Sequence, residues 1–209
     1  MTISKGSSWG EERATLSLAT FAQLPTIEIL THQSLTGDQP TLVRSDNPAV
    51  KRYLGLTRTA ELSSANEFRL YRWDVLQVSF GQSGTTQKLF ALANVVVGNA
   101  PLVGTGTAII NVDLDAANTL SPKSHPNDGR VEVVHWQLSA RDRLARWVNR
   151  VDSLTMVSQH RSVTKASVKS YRIDLPHTTP VWIDGQRHDA AGFIEITLIA
   201  DAVSLAMPI

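Results

Sequence analysis

Three stretches of this 209-residue chain carry residue types that could bind or transform a ligand. The first is the glycine loop Gly98-Asn99-Ala100-Pro101-Leu102-Val103-Gly104-Thr105-Gly106, set between two apolar runs. Its glycines allow backbone angles, or the close approach of a partner, that a Cβ would resist. The second is Asn127-Asp128-Gly129, opening onto Val131-Glu132-Val133-Val134, and the third is Asp184-Gly185-Gln186. Other constellations match no known chemistry. Gly81-Gln82-Ser83-Gly84 lacks the second glycine of a nucleophile elbow and the lysine of a phosphate-binding loop. Gly104-Thr105-Gly106 lacks the third glycine of a dinucleotide fingerprint, since Ile109 stands there. The six histidines show no spacing suited to zinc. Asp113 and Asp115 share one side of an extended strand; solvated charges at a sheet edge are the commoner use of that pattern than a carboxylate pair.

Composition narrows the function classes. A net charge of +1 argues against a protein that binds nucleic acid through bulk electrostatics. The absence of cysteine excludes thiol nucleophiles, disulfides and cysteine zinc sites. The N-terminus lacks the apolar core of a secretory signal, and no apolar run approaches the roughly 20 residues that span a bilayer. The expectation is a cytoplasmic protein. Apolar residues make up 42% and charged residues 19%, as in an ordinary globular chain with enough length to bury a core.

The elements that position these stretches read as strands. The run Val95-Val96-Val97 suits a strand buried on both faces. Residues 26–30, 67–80, 89–97, 162–173, 193–199 and 202–207 also read as strands, and Asp184-Gly185 as a sharp hairpin turn. Gly37 to Pro40 is turn chemistry, and Pro48 opens a short helix stopped by Gly55. One longer helix is expected over about 139–155. Ser139 caps it with Asp142 three residues on, and Leu144, Trp147, Val148, Val151 and Leu154 recur at helical spacing. Packing onto a sheet is the commoner use of such a helix; lying on a membrane is the alternative. Many short strands and one helix predict a mainly β chain, an antiparallel sandwich or barrel-like domain. Residues 1–64 are expected to form a β-rich extension of the domain over 65–209.

The order strand, Asn99-x-Pro101-x-x-Gly104-x-Gly106, strand, Asp128-Gly129, strand, with Trp182-Ile183-Asp184-Gly185 following the capped helix, resembles the C-terminal domain of diacylglycerol-kinase-like lipid kinases. That group includes bacterial lipid kinases and sphingosine kinases. The resemblance covers about Phe68 to the C-terminus. It implies a β-rich, lipid-side domain whose usual partner domain holds ATP through a Gly-Gly-Asp-Gly-Thr motif, which is absent here. It also implies a ligand site at Asn99, Gly104, Gly106, Asp184 and Gln186. Where the bacterial family has Asp-Gly-Glu, with glutamate as proton acceptor, this chain has Asp184-Gly185-Gln186. A glutamine amide can hydrogen-bond a hydroxyl but takes no proton near neutral pH, so no catalytic residue is intact. The same resemblance implies a structural magnesium ion on the Asp128 carboxylate and the backbone carbonyls of His125 and Arg130. The resulting expectation is a module that is non-catalytic alone and binds a lipid or amphipathic ligand, in the cytoplasm or at a membrane periphery. The alternative is a subunit of a split lipid kinase, or a scaffold, that docks a separate ATP-binding partner or a second copy of itself.

Overall fold

The valine run at 95–97 sets the pattern of the sheet. In the computed structural model, which describes residues 13–15, 22, 41–45, 48–54, 67–81, 86–99, 101–114, 120–121, 124–148 and 160–208, all three valines are buried. Val95 and Val97 join one apolar cluster and Val96 another, because successive side chains of a strand point to opposite faces. Both faces of this strand are therefore covered, as the unbroken apolar run predicts. The expected strand at 26–30, the turn at Gly37 to Pro40, Asp115 and the chain from 149 to 159 lie outside the described residues.

The described strands are β1 (Arg13–Thr15), β2 (Thr41–Arg44), β3 (Glu67–Gly81), β4 (Gln87–Ala91) and β5 (Asn94–Val97). They continue as β6 (Thr105–Ile110), β7 (Val131–Gln137), β8 (Val163–Val168), β9 (Ser170–Ile183) and β10 (Gln186–Pro208). Two helices are described, α1 (Pro48–Tyr53) and α2 (Ala140–Val148). The protein is mainly β. The chain forms two compact units. The first holds Met1–Val75, Pro126–Gly129 and Ile199–Ile209, and the second Leu76–His125 and Arg130–Leu198.

In the second unit the hydrogen-bonded order is β10-β9-β5-β6-β7-β8, all antiparallel, with β4 against β3. One apolar cluster gathers Leu76, Val78, Phe80, Val95, Val97, Ile109, Val181 and Ile183. The other gathers Val96, Ala108, Ile110, Val134 and Trp136 with Leu102, Leu120 and Leu138 from loops. In the first unit β1 pairs with β3 antiparallel, and β2 pairs with β10 in parallel. That parallel pair departs from the purely antiparallel expectation.

Two local details differ from the sequence reading. The strands expected at 193–199 and 202–207 are one strand, β10, in which Asp201 takes a left-handed backbone (φ 52°). The helix α2 starts where the Ser139 cap predicts. Asp142 Oδ2 accepts from the Ser139 N–H at 3.0 Å, and Ser139 Oγ accepts from the Asp142 N–H at 3.2 Å, the two halves of a capping box. Its Leu144 and Val148, however, are 60% and 62% exposed rather than packed on the sheet.

Gly106 faces Trp136 in the β6–β7 register, and the buried indole fills the space where its side chain would lie. A Cβ there would stand 2.6 Å from Trp136 Cζ2 and 2.8 Å from the Val97 carbonyl oxygen. Gly106→Ala is therefore expected to destabilise the second unit by about 1–3 kcal/mol, the usual cost of overpacking. A lowered urea midpoint at unchanged slope is the readout; an unchanged midpoint would contradict this packing.

Candidate functional site

Asp184 and Gly185 both take positive φ (47° and 83°), the type I′ geometry that Asp-Gly favours in a two-residue hairpin. The turn joins β9 to β10, with Gln186 paired to Ile183. The Asp184 carboxylate folds back on the corner between β4 and β5. Its Oδ2 accepts from the Leu92 N–H at 2.7 Å, and its Oδ1 accepts from the N–H groups of Ala93 and Asn94, each at 2.9 Å. The Asp184 N–H donates to the Asn94 carbonyl at 3.0 Å. Three charge-assisted bonds thus hold this aspartate as a clasp for the backbone. Gln186, two residues on, is exposed and offers an amide to solvent.

The glycine loop sits at the other end of β5. The Gly98 N–H donates to the Pro180 carbonyl at 2.9 Å, and the Gly104 carbonyl accepts from the Leu138 N–H at 2.8 Å. Gly98 and Gly104 have φ of 117° and 65°, and Asn99 is exposed. Val95 pairs with Ile183 and Val97 with Val181, so Asp184 stands beside the start of β5 and Gly98 beyond its end. Five residues of extended chain separate Asn94 from Asn99, roughly 15 Å at the rise of a strand. The structure therefore brings Asn99 and Gly104 together at one end and Asp184 with Gln186 at the other. Gly106 is buried beneath Trp136, where its role is packing.

Asp128 lies in the first unit, on a turn with Gly129 at φ 69°. Asp74, wholly buried on β3, organises that turn. Its N–H donates to the Pro126 carbonyl at 2.6 Å, its Oδ2 accepts from the Gly129 N–H at 3.0 Å, and its Oδ1 from the Asp201 N–H at 2.8 Å. Burial pushes the Asp74 carboxyl up to about 6, against the two backbone bonds that pull it down; the Asp201 and Asp128 carboxylates raise it further. Burial, and then the Asp128 charge, push the Tyr53 phenol up to about 12. Among the described residues, no group of three or more His, Asp or Glu side chains is gathered to hold a metal. Asp128 offers one exposed carboxylate, which suits a hard cation that keeps most of its water. The guanidinium of Arg130, in the second unit, is bonded to Ser167.

Asp113 has a structural task of the same kind. Its Oδ2 accepts from the N–H groups of Leu120 and Ser121 at 2.6 and 2.9 Å. Sequence reasoning missed Asp74, although an aspartate between Trp73 and Val75 in a strand of buried apolar residues is a visible signal of a paired polar group. The described histidines are scattered. His135 bonds Thr107 Oγ1 at 3.0 Å, and His160 lies 3.5 Å from Asp142.

Removing the clasp in Asp184→Ala leaves three backbone N–H groups without their carboxylate, and the expected loss is about 1–3 kcal/mol. Asp184→Asn, which keeps one acceptor oxygen and tolerates a positive φ, should lose less; equal stability of all three proteins in urea would overturn the assignment. Asp74 predicts a pH dependence. Its folded value of about 6 lies above the ordinary 3.8, so the folded state holds the proton more tightly. Stability should therefore fall as pH rises from about 4 to about 6, by about 1–3 kcal/mol, and be flat in this respect above it. Urea unfolding across that window should show the slope in the natural protein and not in Asp74→Asn.

The chain matches no protein-family model and no curated protein. It is similar to solved structures over part of its length. A diacylglycerol kinase from Bacillus anthracis str. Sterne is 12% identical with a TM-score of 0.37, over 68% of this chain and 50% of that one. A second structure from that organism, assigned as a diacylglycerol kinase, is 13% identical with a TM-score of 0.38, over 64% and 41%. Yeast NADH kinase, solved with NADH, is 12% identical with a TM-score of 0.41, over 79% and 50%. The chain thus spans between 41% and 50% of the length of these proteins. At these scores the likenesses leave function to the chemistry of the residues.

Proposed function

We propose that this chain is a lipid-side binding module, non-catalytic on its own, that takes a lipid or other amphipathic ligand bearing a free hydroxyl. The observation that carries this reading is the Asp184-Gly185-Gln186 turn. Its carboxylate is engaged by three backbone N–H groups, and the exposed side chain beside it is an amide. An amide donates to and accepts from a hydroxyl but cannot serve as the general base of a phosphoryl transfer. Gln186 is thus the polar contact, and Asn99 and Gly104 reach only a ligand extended along β5. Asp128 would supply the carboxylate of a structural magnesium ion, with the carbonyls of His125 and Arg130 as the further oxygens that the sequence resemblance implies. The ion's part would be to hold the turn rather than to activate a phosphate.

Calorimetric titration with dioleoylglycerol in mixed micelles, with and without magnesium, tests the reading. Loss of one hydroxyl hydrogen bond in Gln186→Ala should weaken binding about threefold to tenfold while leaving the urea midpoint unchanged. No binding by the natural protein, or equal binding by the variant, would count against it. Phosphorylation of the lipid by the chain with ATP alone would overturn it. Phosphorylation appearing only when a separate ATP-binding chain is added would favour a split lipid kinase instead.

A further inference from the structure

Helix α2 turns its acidic side toward its own cap and His160, and presents Leu144 and Val148 to solvent. Asp142 accepts from both the N–H and the hydroxyl of Ser139, at 3.0 and 2.7 Å, and lies 3.5 Å from His160. At about 100° per residue, Leu144 and Val148 fall side by side on the opposite part of the helix. Arg141 and Arg143 flank that pair, one on each side, and both are exposed. The large apolar residues that are exposed among those described are Leu144, Val148 and Val103. Val103 belongs to the β5–β6 loop, whose Gly104 carbonyl is bonded to Leu138, two residues before the helix. Exposed apolar surface is thus concentrated at one corner of the second unit.

Positive charge lies there too, on the exposed Arg141 and Arg143, in a chain whose net charge is only +1. We infer that the exposed face of α2, with Leu144 and Val148 between Arg141 and Arg143, is a docking surface for an anionic lipid bilayer. An interfacial helix needs only an apolar stripe to enter the headgroup boundary and cations to meet the lipid charge. A nine-residue helix is about 14 Å long, short for the roughly 800 Å² per partner of a stable protein interface. Guanidinium groups on both flanks would also face each other unfavourably across a face-to-face pair of copies. This inference is independent of the hydroxyl-binding reading at Gln186.

Co-sedimentation of the purified chain with vesicles provides the test. Binding is expected to phosphatidylcholine vesicles containing phosphatidylserine, an anionic lipid with no free hydroxyl, and to be at least about tenfold weaker to phosphatidylcholine alone or at high salt. Leu144→Ser with Val148→Ser should lower binding about tenfold. Arg141→Gln with Arg143→Gln should lower it similarly and reduce its salt dependence. All four side chains are exposed, so thermal midpoints should stay unchanged. Equal sedimentation of the two double variants and the natural protein would sink the inference. So would a dimer in sedimentation velocity that the Leu144→Ser, Val148→Ser variant dissolves, since that face would then cover a second copy.

Discussion

Aspartate carboxylates that accept backbone N–H groups are the constraint on which the irregular parts of this protein depend. Asp184 holds three consecutive amides at the entry to β5, Asp74 holds the amides of Gly129 and Asp201, and Asp113 holds those of Leu120 and Ser121. A sheet protein satisfies its backbone through the ladders, but corners and bulges leave N–H groups without a strand partner. An ionised acceptor is the strongest local remedy, and each of these carboxylates answers more than one donor. Two of them also join segments far apart in sequence. Asp184 reaches back more than 90 residues to Leu92, and Asp74 forward 127 to Asp201.

That use of acidic residues limits the chemistry left over. A carboxylate engaged by two or three amides is positioned for the fold and is poorly placed to receive a proton from a substrate. At the late hairpin the remaining side chain is the Gln186 amide, and at the glycine loop it is the Asn99 amide. Both side chains can form hydrogen bonds that need no ionisation. Asp128 differs: it is exposed, and its charge is felt by Tyr53 and Asp74.

The parts of the fold set by nearest neighbours were legible in the sequence. Val95-Val96-Val97 named a doubly buried strand, Asp184-Gly185 a tight hairpin, and Ser139 with Asp142 a helix start, because each depends on local geometry alone. What the sequence concealed depends on register and on distance along the chain. The antiparallel pairing of β5 with β9 puts Asn99 and Gln186 at opposite ends of a strand, and no local pattern of either segment encodes that pairing. The first unit is built from three separate segments, including the four residues Pro126–Gly129, so composition along the chain shows no boundary. Asp74 was visible as a misplaced charge, but its partners lie 55 and 127 residues away.

The exposure of α2 has its own physical reason. An amphipathic helix is expected to cover an apolar sheet face when that face would otherwise meet water. Here the face that carries Val96, Ala108, Ile110, Val134 and Trp136 is already closed by Leu102, Leu120 and Leu138, three loop leucines each no more than 5% exposed. The same leucines come from the glycine loop, the segment clasped by Asp113, and the residue just before the helix cap. Once loops pinned by backbone bonds supply that cover, Leu144 and Val148 are not needed to close this face. The amphipathic pattern is then free to be used outward, and a sequence pattern common to packed and surface helices resolves into the second through contacts made elsewhere.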